Sequence, residues 1–171
     1  MISLKTQFVL PEIPEDELKR IINETLSFDF PVVELNKTIS TLELFHGPTM
    51  AFKDVGARFM ARCLGYFNKD NTEQVTVLVA TSGDTGGAVA NGFLGVNGVN
   101  VVILYPSGKV SDIQEKQRTP LGQNTTALEV DGVFDDCQDM VKRAFLDEEL
   151  TSRMQLTSAN SINVARWLPQ L

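Results

Sequence analysis

Two short stretches hold the side chains best suited to covalent or anion chemistry: HGPTMAFKD at 46–54 and TSGDTGGAVA at 81–90. In the first, Lys53 follows Met50, Ala51 and Phe52 after a Gly47-Pro48 break. An amine shielded by apolar groups gives up its charge more readily, and the neutral amine condenses with a carbonyl. The competing reading is a solvated surface lysine, which describes most lysines. In the second, Thr81, Ser82, Gly83, Asp84 and Thr85 stand between a β-branched run and a small-residue helical pattern. Backbone N–H groups at such a helix start can face an anion, with the Ser82 and Thr85 hydroxyls as further donors. Equally, Ser82, Asp84 or Thr85 could cap the helix by satisfying its first-turn amides. Asp84 disfavours a phosphate against its own side chain and suits a hydroxyl or phenol. Neither the GxGxxG nor the GxxxxGK[ST] spacing is present, which argues against a nucleotide loop. A condensing lysine beside an anion-accepting turn points to a lysine–aldehyde cofactor enzyme.

Two weaker features accompany them. SANSIN at 158–163 places Ser158, Asn160, Ser161 and Asn163 ahead of a predicted helix. They could cradle a second anion or cap that helix; the pattern does not separate the two. Lys109 follows Pro106-Ser107-Gly108 at a predicted strand end, the edge at which open α/β sheets bind ligands. His46 is the sole histidine, so a multi-histidine metal cluster is excluded and a loop-orienting hydrogen bond is expected. Asp135, Asp136 and Asp139 begin a predicted helix, where the macrodipole favours negative charge.

The elements that must position these groups read in order along the chain. Residues 15–26 carry Leu18, Ile21, Ile22 and Leu26 at helical spacing, and 41–45 alternates like a short strand. A helix is predicted from Lys53, with Val55, Phe59, Cys63, Tyr66 and Phe67 along one side. Strands at 75–80, 100–105 and 125–130 then alternate with helices at 85–96, 111–118 and 134–150. Continuous apolar strands alternating with helices predict a doubly wound open parallel α/β sheet with both faces covered. The stretch 161–171 reads as a helix whose Ile162, Val164, Trp167, Leu168 and Leu171 leave an apolar face without a cover.

The gross composition sets limits. With 171 residues the chain holds one domain, or a small domain plus part of a second. A net charge of −7 argues against nonspecific nucleic-acid binding. No apolar run reaches the roughly 20 residues of a membrane helix, and no signal peptide is visible. Cys63 and Cys137 lack metal-site or disulfide-framework spacing, so packing roles and a cytoplasmic setting are expected.

Four motifs in order, HGPTMAFKDVGARFMARCLGYF, ATSGDTGGAVANGF, VVILYPSGKVSDIQEKQ and LTSANSINVARWLPQ, make the chain resemble the threonine synthases, pyridoxal-phosphate enzymes of the tryptophan-synthase-β fold. The likeness runs from about residue 42 to the end. It implies that Lys53 condenses with pyridoxal phosphate and that Phe52 packs near the cofactor ring. It also implies that Thr81, Ser82, Gly83, Asp84 and Thr85 form the loop meeting the substrate carboxylate and the cofactor's 3′-oxygen side. Lys109, Ser158, Asn160, Ser161 and Asn163 fall in segments resembling those that bind the substrate phosphate. The implied reaction converts O-phospho-L-homoserine and water to L-threonine and phosphate.

The resemblance further implies three parts: residues 1–72 from a larger cofactor-lysine domain, 73–157 as the small α/β domain, and 158–171 as the start of a return segment. The glycine-rich loop that holds the cofactor phosphate in this fold is not recognisable after Ser158. Weak cofactor binding and little turnover are therefore expected of this chain by itself. Sister activities on the fold, such as threonine dehydratase or cysteine synthase, remain open. So does a noncatalytic module that self-associates through its C-terminal face.

Overall fold

The computed structural model describes residues 12–108, 123–160 and 163–170. The predicted helix at 111–118, together with Lys109 and Ser161, lies outside them.

Helix α1 (Glu15–Thr25) forms because Leu18, Ile21, Ile22 and Thr25 fall on one buried stripe. Glu15, Asp16 and Glu17 fill its first turn, where negative charge is favoured. After it, β1 (Val32–Asn36) and β2 (Ile39–Leu42) pair antiparallel as a separate ribbon. The Asn36 carboxamide closes the turn, its Oδ1 accepting from the Thr38 and Ile39 backbone N–H groups at 3.0 and 3.1 Å. The strand expected at 41–45 therefore sits earlier in the chain, because this Asn36 turn sets the pairing register.

Helix α2 (Lys53–Phe67) is covered on two sides. Phe59 and Cys63 meet α1, whereas Ala57, Met60 and Ala61 face the main sheet. Phe67, expected on the buried side, is exposed. Asn68 ends the helix, its Nδ2 donating to the Gly98 carbonyl at 2.7 Å.

The main sheet has the order β5-β4-β3-β6, with every pair parallel. Its strands are β3 (Val75–Ala80), β4 (Val99–Pro106), β5 (Thr125–Val130) and β6 (Gln155–Ser158). All six residues of β3 are buried, as a central parallel strand requires. Helix α3 (Asp84–Phe93) packs beside α2 on one face, with Ala88, Val89, Ala90 and Phe93 in a common core with Val77, Val79, Val101 and Ile103. Its small residues are needed there: a Cβ on Gly92 would stand 3.0 Å from the Ala57 carbonyl carbon. Helix α4 (Phe134–Leu146) covers the other face through Cys137 and Val141 against Leu78, Ala80 and Leu104. The doubly wound architecture predicted from the sequence is the one present.

Three expectations need correction. The helix predicted over 134–150 breaks at Asp147, whose carboxylate accepts from the Leu150 N–H at 2.9 Å and starts a separate α5 (Glu148–Arg153). Strand β6 was not predicted, being short and half polar. In the stretch 161–171, where a helix is expected, the described residues form a pair of 3₁₀ turns, Val164–Arg166 and Leu168–Gln170. Asn163 caps the first by accepting from the Ala165 N–H at 3.0 Å.

From β3 the chain steps outward to β4 and β5, then returns across the sheet to β6 on the far side of β3. The direction of winding reverses between β3 and β6. In open α/β sheets, ligands bind outside the carboxyl ends of the strands at such a reversal.

Candidate active site at the sheet's carboxyl edge

Three segments converge on that edge. One is the turn after β3, another is the turn after β6, and the third is the start of α2. Helix α2 runs antiparallel to β3, since its end is tied by Asn68 to Gly98 at the amino edge, just before β4. Its 15 residues span about 22 Å, close to the length of β3, so Lys53 stands at the carboxyl edge. The turn Val164–Arg166 packs on the same helix, and Ala159 shares the core with Ala57, one helical turn after Lys53.

Lys53 is half-buried, and its Nζ lies 5.8 Å from the centre of the Phe52 ring. Only part of the expected apolar shield is supplied by its neighbours in sequence. Ala51 is buried, but Met50 is 64% and Phe52 50% exposed. The cause is a tight turn, with the Met50 N–H donating to the Gly47 carbonyl at 3.0 Å and Met50 held at φ +58. His46 makes the loop-orienting contact expected of it: its Nε2 lies 2.6 Å from a Glu43 carboxylate oxygen, and its ring stacks on Phe45.

In the turn after β3, Thr81 is buried and its hydroxyl is engaged locally. Oγ1 accepts from the N–H groups of Gly83 and Gly86 at 3.2 and 3.1 Å and lies 3.1 Å from the Gly83 carbonyl. Thr81 thus shapes the loop rather than reaching towards a ligand. Ser82 and Asp84 are exposed, with Gly83 and Thr85 half-buried beside them. The amides expected to be capped by Ser82, Asp84 or Thr85 are met instead by Thr81, and Ser82–Thr85 stand at the rim of the turn.

After β6, Asn163 donates from Nδ2 to the Ser158 carbonyl at 3.2 Å, and the Ser158 hydroxyl accepts from the Asn160 N–H at 3.2 Å. Asn160 Oδ1 is buried without a partner among the described residues. Arg166, which the sequence reading passed over, is the most unusual side chain of the edge. It is 3% exposed, its Nη1 donates to the Ala159 carbonyl at 2.7 Å, and its buried Nε has no partner among the described residues. Burial pushes its pKa down, although a guanidinium in a protein stays charged. A buried cation costs several kcal/mol, on the order of 3–5, unless an anion meets it. A lone arginine inside the apolar run VARWL was the available signal.

The edge therefore combines an amine, a polar rim and a buried guanidinium with a donor left unmet by the described residues. Such a set can hold a small anionic molecule while an amine reaches its carbonyl or its acidic C–H. Among the described residues no group of His, Cys, Asp and Glu could hold a metal, and no helix is long and apolar enough to cross a membrane.

Comparison with known proteins gives a consistent result. A family model described as pyridoxal-phosphate dependent enzyme matches residues 33–167. The threonine synthase of Buchnera aphidicola subsp. Acyrthosiphon pisum is 50% identical over 167 residues, covering 97% of this chain and 39% of the relative. The crystal structure of threonine synthase from Escherichia coli superposes with a TM-score of 0.89 at 48% identity, covering 99% of this chain and 39% of that one. A pyridoxal-phosphate-bound threonine synthase from Brucella melitensis gives 0.92 at 41% identity, covering 99% and 38%. The chain thus spans about two fifths of the length of the relatives it matches.

Proposed function

The chain belongs to the family of pyridoxal-phosphate-dependent enzymes, and from that premise we propose that it carries the lysine and anion-binding edge of a threonine synthase. The proposed reaction converts O-phospho-L-homoserine and water to L-threonine and phosphate. Similarity of about half the residues to threonine synthases supports the reaction class. The single structural observation that supports the reading is the buried Arg166, whose Nε has no hydrogen-bond partner among the described residues, in a turn that packs on the helix begun by Lys53.

The residues fit an anionic aldehyde and an anionic substrate. Lys53 would hold the cofactor, with Phe52 beside it and Asp84 towards its hydroxyl side. When bound, pyridoxal phosphate supplies an electron sink that makes the substrate α-proton acidic. The chain's own part is to place and to move protons. The Lys53 amine would take the α-proton and return one. Ser82, Gly83 and Thr85 would orient the substrate carboxylate. Arg166 and Asn160, with Ser158 and Asn163 setting their turn, would hold the leaving phosphate. Arg166 adds a full positive charge where negative charge accumulates on the departing oxygen. Lys109 and Ser161 belong to the same proposal on the strength of the resemblance.

The division into 1–72, 73–157 and 158–171, and a cytoplasmic setting, are parts of this reading too. Val164 at 60% and Trp167 at 51% exposure support self-association through the C-terminal face. Sedimentation should then show a concentration-dependent increase in mass, and a strict monomer would remove that element.

The test is a chimaera in which this chain replaces its counterpart in the Escherichia coli threonine synthase. The reading predicts threonine and phosphate from O-phospho-L-homoserine, lost in Lys53→Ala. A folded chimaera that ignores phosphohomoserine but deaminates threonine or serine would move the chain to a sister activity.

A further inference from the structure

The loop ahead of Lys53 is closed by a buried carboxylate. Asp54, second residue of α2, is 1% exposed and accepts from both the backbone N–H and the hydroxyl of Thr49, at 2.9 and 2.5 Å. Thr49 is itself 8% exposed. A Cβ on Gly47 would lie 2.5 Å from Asp54 Oδ2 and 2.9 Å from the Phe28 ring, so the loop reaches the carboxylate only with glycine there. Two backbone bonds tighten the same loop, Met50 N–H to the Gly47 carbonyl and Asp54 N–H to the Ala51 carbonyl, each 3.0 Å. Met50 holds a left-handed backbone that a non-glycine residue adopts only at a cost of about 1–2 kcal/mol.

Starting a helix does not require this arrangement. An exposed Ser or Asp at the N-cap satisfies first-turn amides without burying a charge. A buried carboxylate, a glycine-only contact and a strained Met50 instead fix where residues 49–53 sit. Lys53 is the residue adjoining the carboxylate. Its backbone is held between the Thr49–Asp54 contact and α2.

We propose that Thr49 and Asp54 are positioning residues that lock the loop and thereby set the access and orientation of the Lys53 amine. This rests on the reading of Lys53 as the reacting amine, but the lock can be tested without cofactor. Misplacement of a reacting group by about 1 Å can cost on the order of a hundredfold in rate, so a lock of this kind has a use.

The experiment is competitive acetylation of the chain by acetic anhydride, with mass spectrometry comparing Lys53 with the exposed Lys19 and Lys69 in one sample. Thr49→Val keeps the shape and removes the hydroxyl; Asp54→Ala removes the acceptor. Both should raise the Lys53-to-Lys19 labelling ratio about threefold or more as the loop opens locally. Thr49→Ser and Asp54→Asn should stay within about twofold of wild type, since each can still make both contacts. General unfolding would free Lys53 as well, so the ratio is read only in variants whose near-ultraviolet circular dichroism matches wild type, where a rise reports a local opening. Should Asp54→Ala not fold, Thr49→Val carries the test alone. An unchanged ratio in Thr49→Val, or an equal rise in Thr49→Ser, overturns the lock. A labelling pattern as stated in a chain whose Lys53 takes up no aldehyde leaves the lock standing and removes the cofactor reading instead.

Discussion

The seam between α2, α3 and the sheet differs sharply from the carboxyl edge a few residues away. In the seam, Phe93, Val77, Val79, Val89 and Ile103 are all fully buried against apolar partners. At the edge, Arg166 and Asn160 bury polar atoms with no partner among the described residues, while Met50 and Phe52 turn apolar surface outward. A fold selected only for stability would close the edge as it closes the seam. The seam makes the scaffold rigid, and the edge retains unmet bonding capacity that a ligand can use.

Substitutions in the two regions should therefore differ in size and then in sign. Phe93→Ala is expected to cost about 3–5 kcal/mol in denaturant unfolding, because a cavity replaces a wholly buried ring. Gly92→Ala should cost about 1–3 kcal/mol, since its Cβ would meet the α2 backbone rather than a side chain that can yield. Arg166→Met is expected to lie within about 1 kcal/mol of wild type, or above it, because it removes a buried charge that pairs with no carboxylate among the described residues. The same variant should weaken inorganic phosphate binding about tenfold or more, read by calorimetry. A loss of stability in Arg166→Met as large as in Phe93→Ala would erase the distinction between the regions. The smallest effect belongs to Met50→Gly, expected to be stabilising by at most about 1 kcal/mol through relief of the left-handed backbone.

The seam was more legible in the sequence than the edge. VTVLVA and TTALEV announce strands at 75–80 and 125–130, since β-branched runs between polar breaks have few other uses. QLTS does not announce β6, because its half-burial comes from pairing with β3. The break at Asp147 was visible as an acidic cap ahead of two glutamates, but the apolar spacing of 134–150 masked it. At the edge, residue types were readable and contacts were not. Thr81 stands in the loop that the resemblance implies, and its hydroxyl is engaged by Gly83 and Gly86, which the sequence does not report. Nothing local in HGPTMAFKD reports that Asp54 closes the lysine loop. The burial of Arg166 depends on β6 and the following turn folding over α2, which no local pattern reports.

The most direct measurement is the position at which pyridoxal phosphate becomes fixed when the chain is treated with it and reduced with borohydride. Peptide mass spectrometry should find the added mass on Lys53 well ahead of Lys19 and Lys69, and Lys53→Arg should remove that preference. Mass spread over the exposed lysines in proportion to their accessibility, with Lys53 unmarked, would contradict the account.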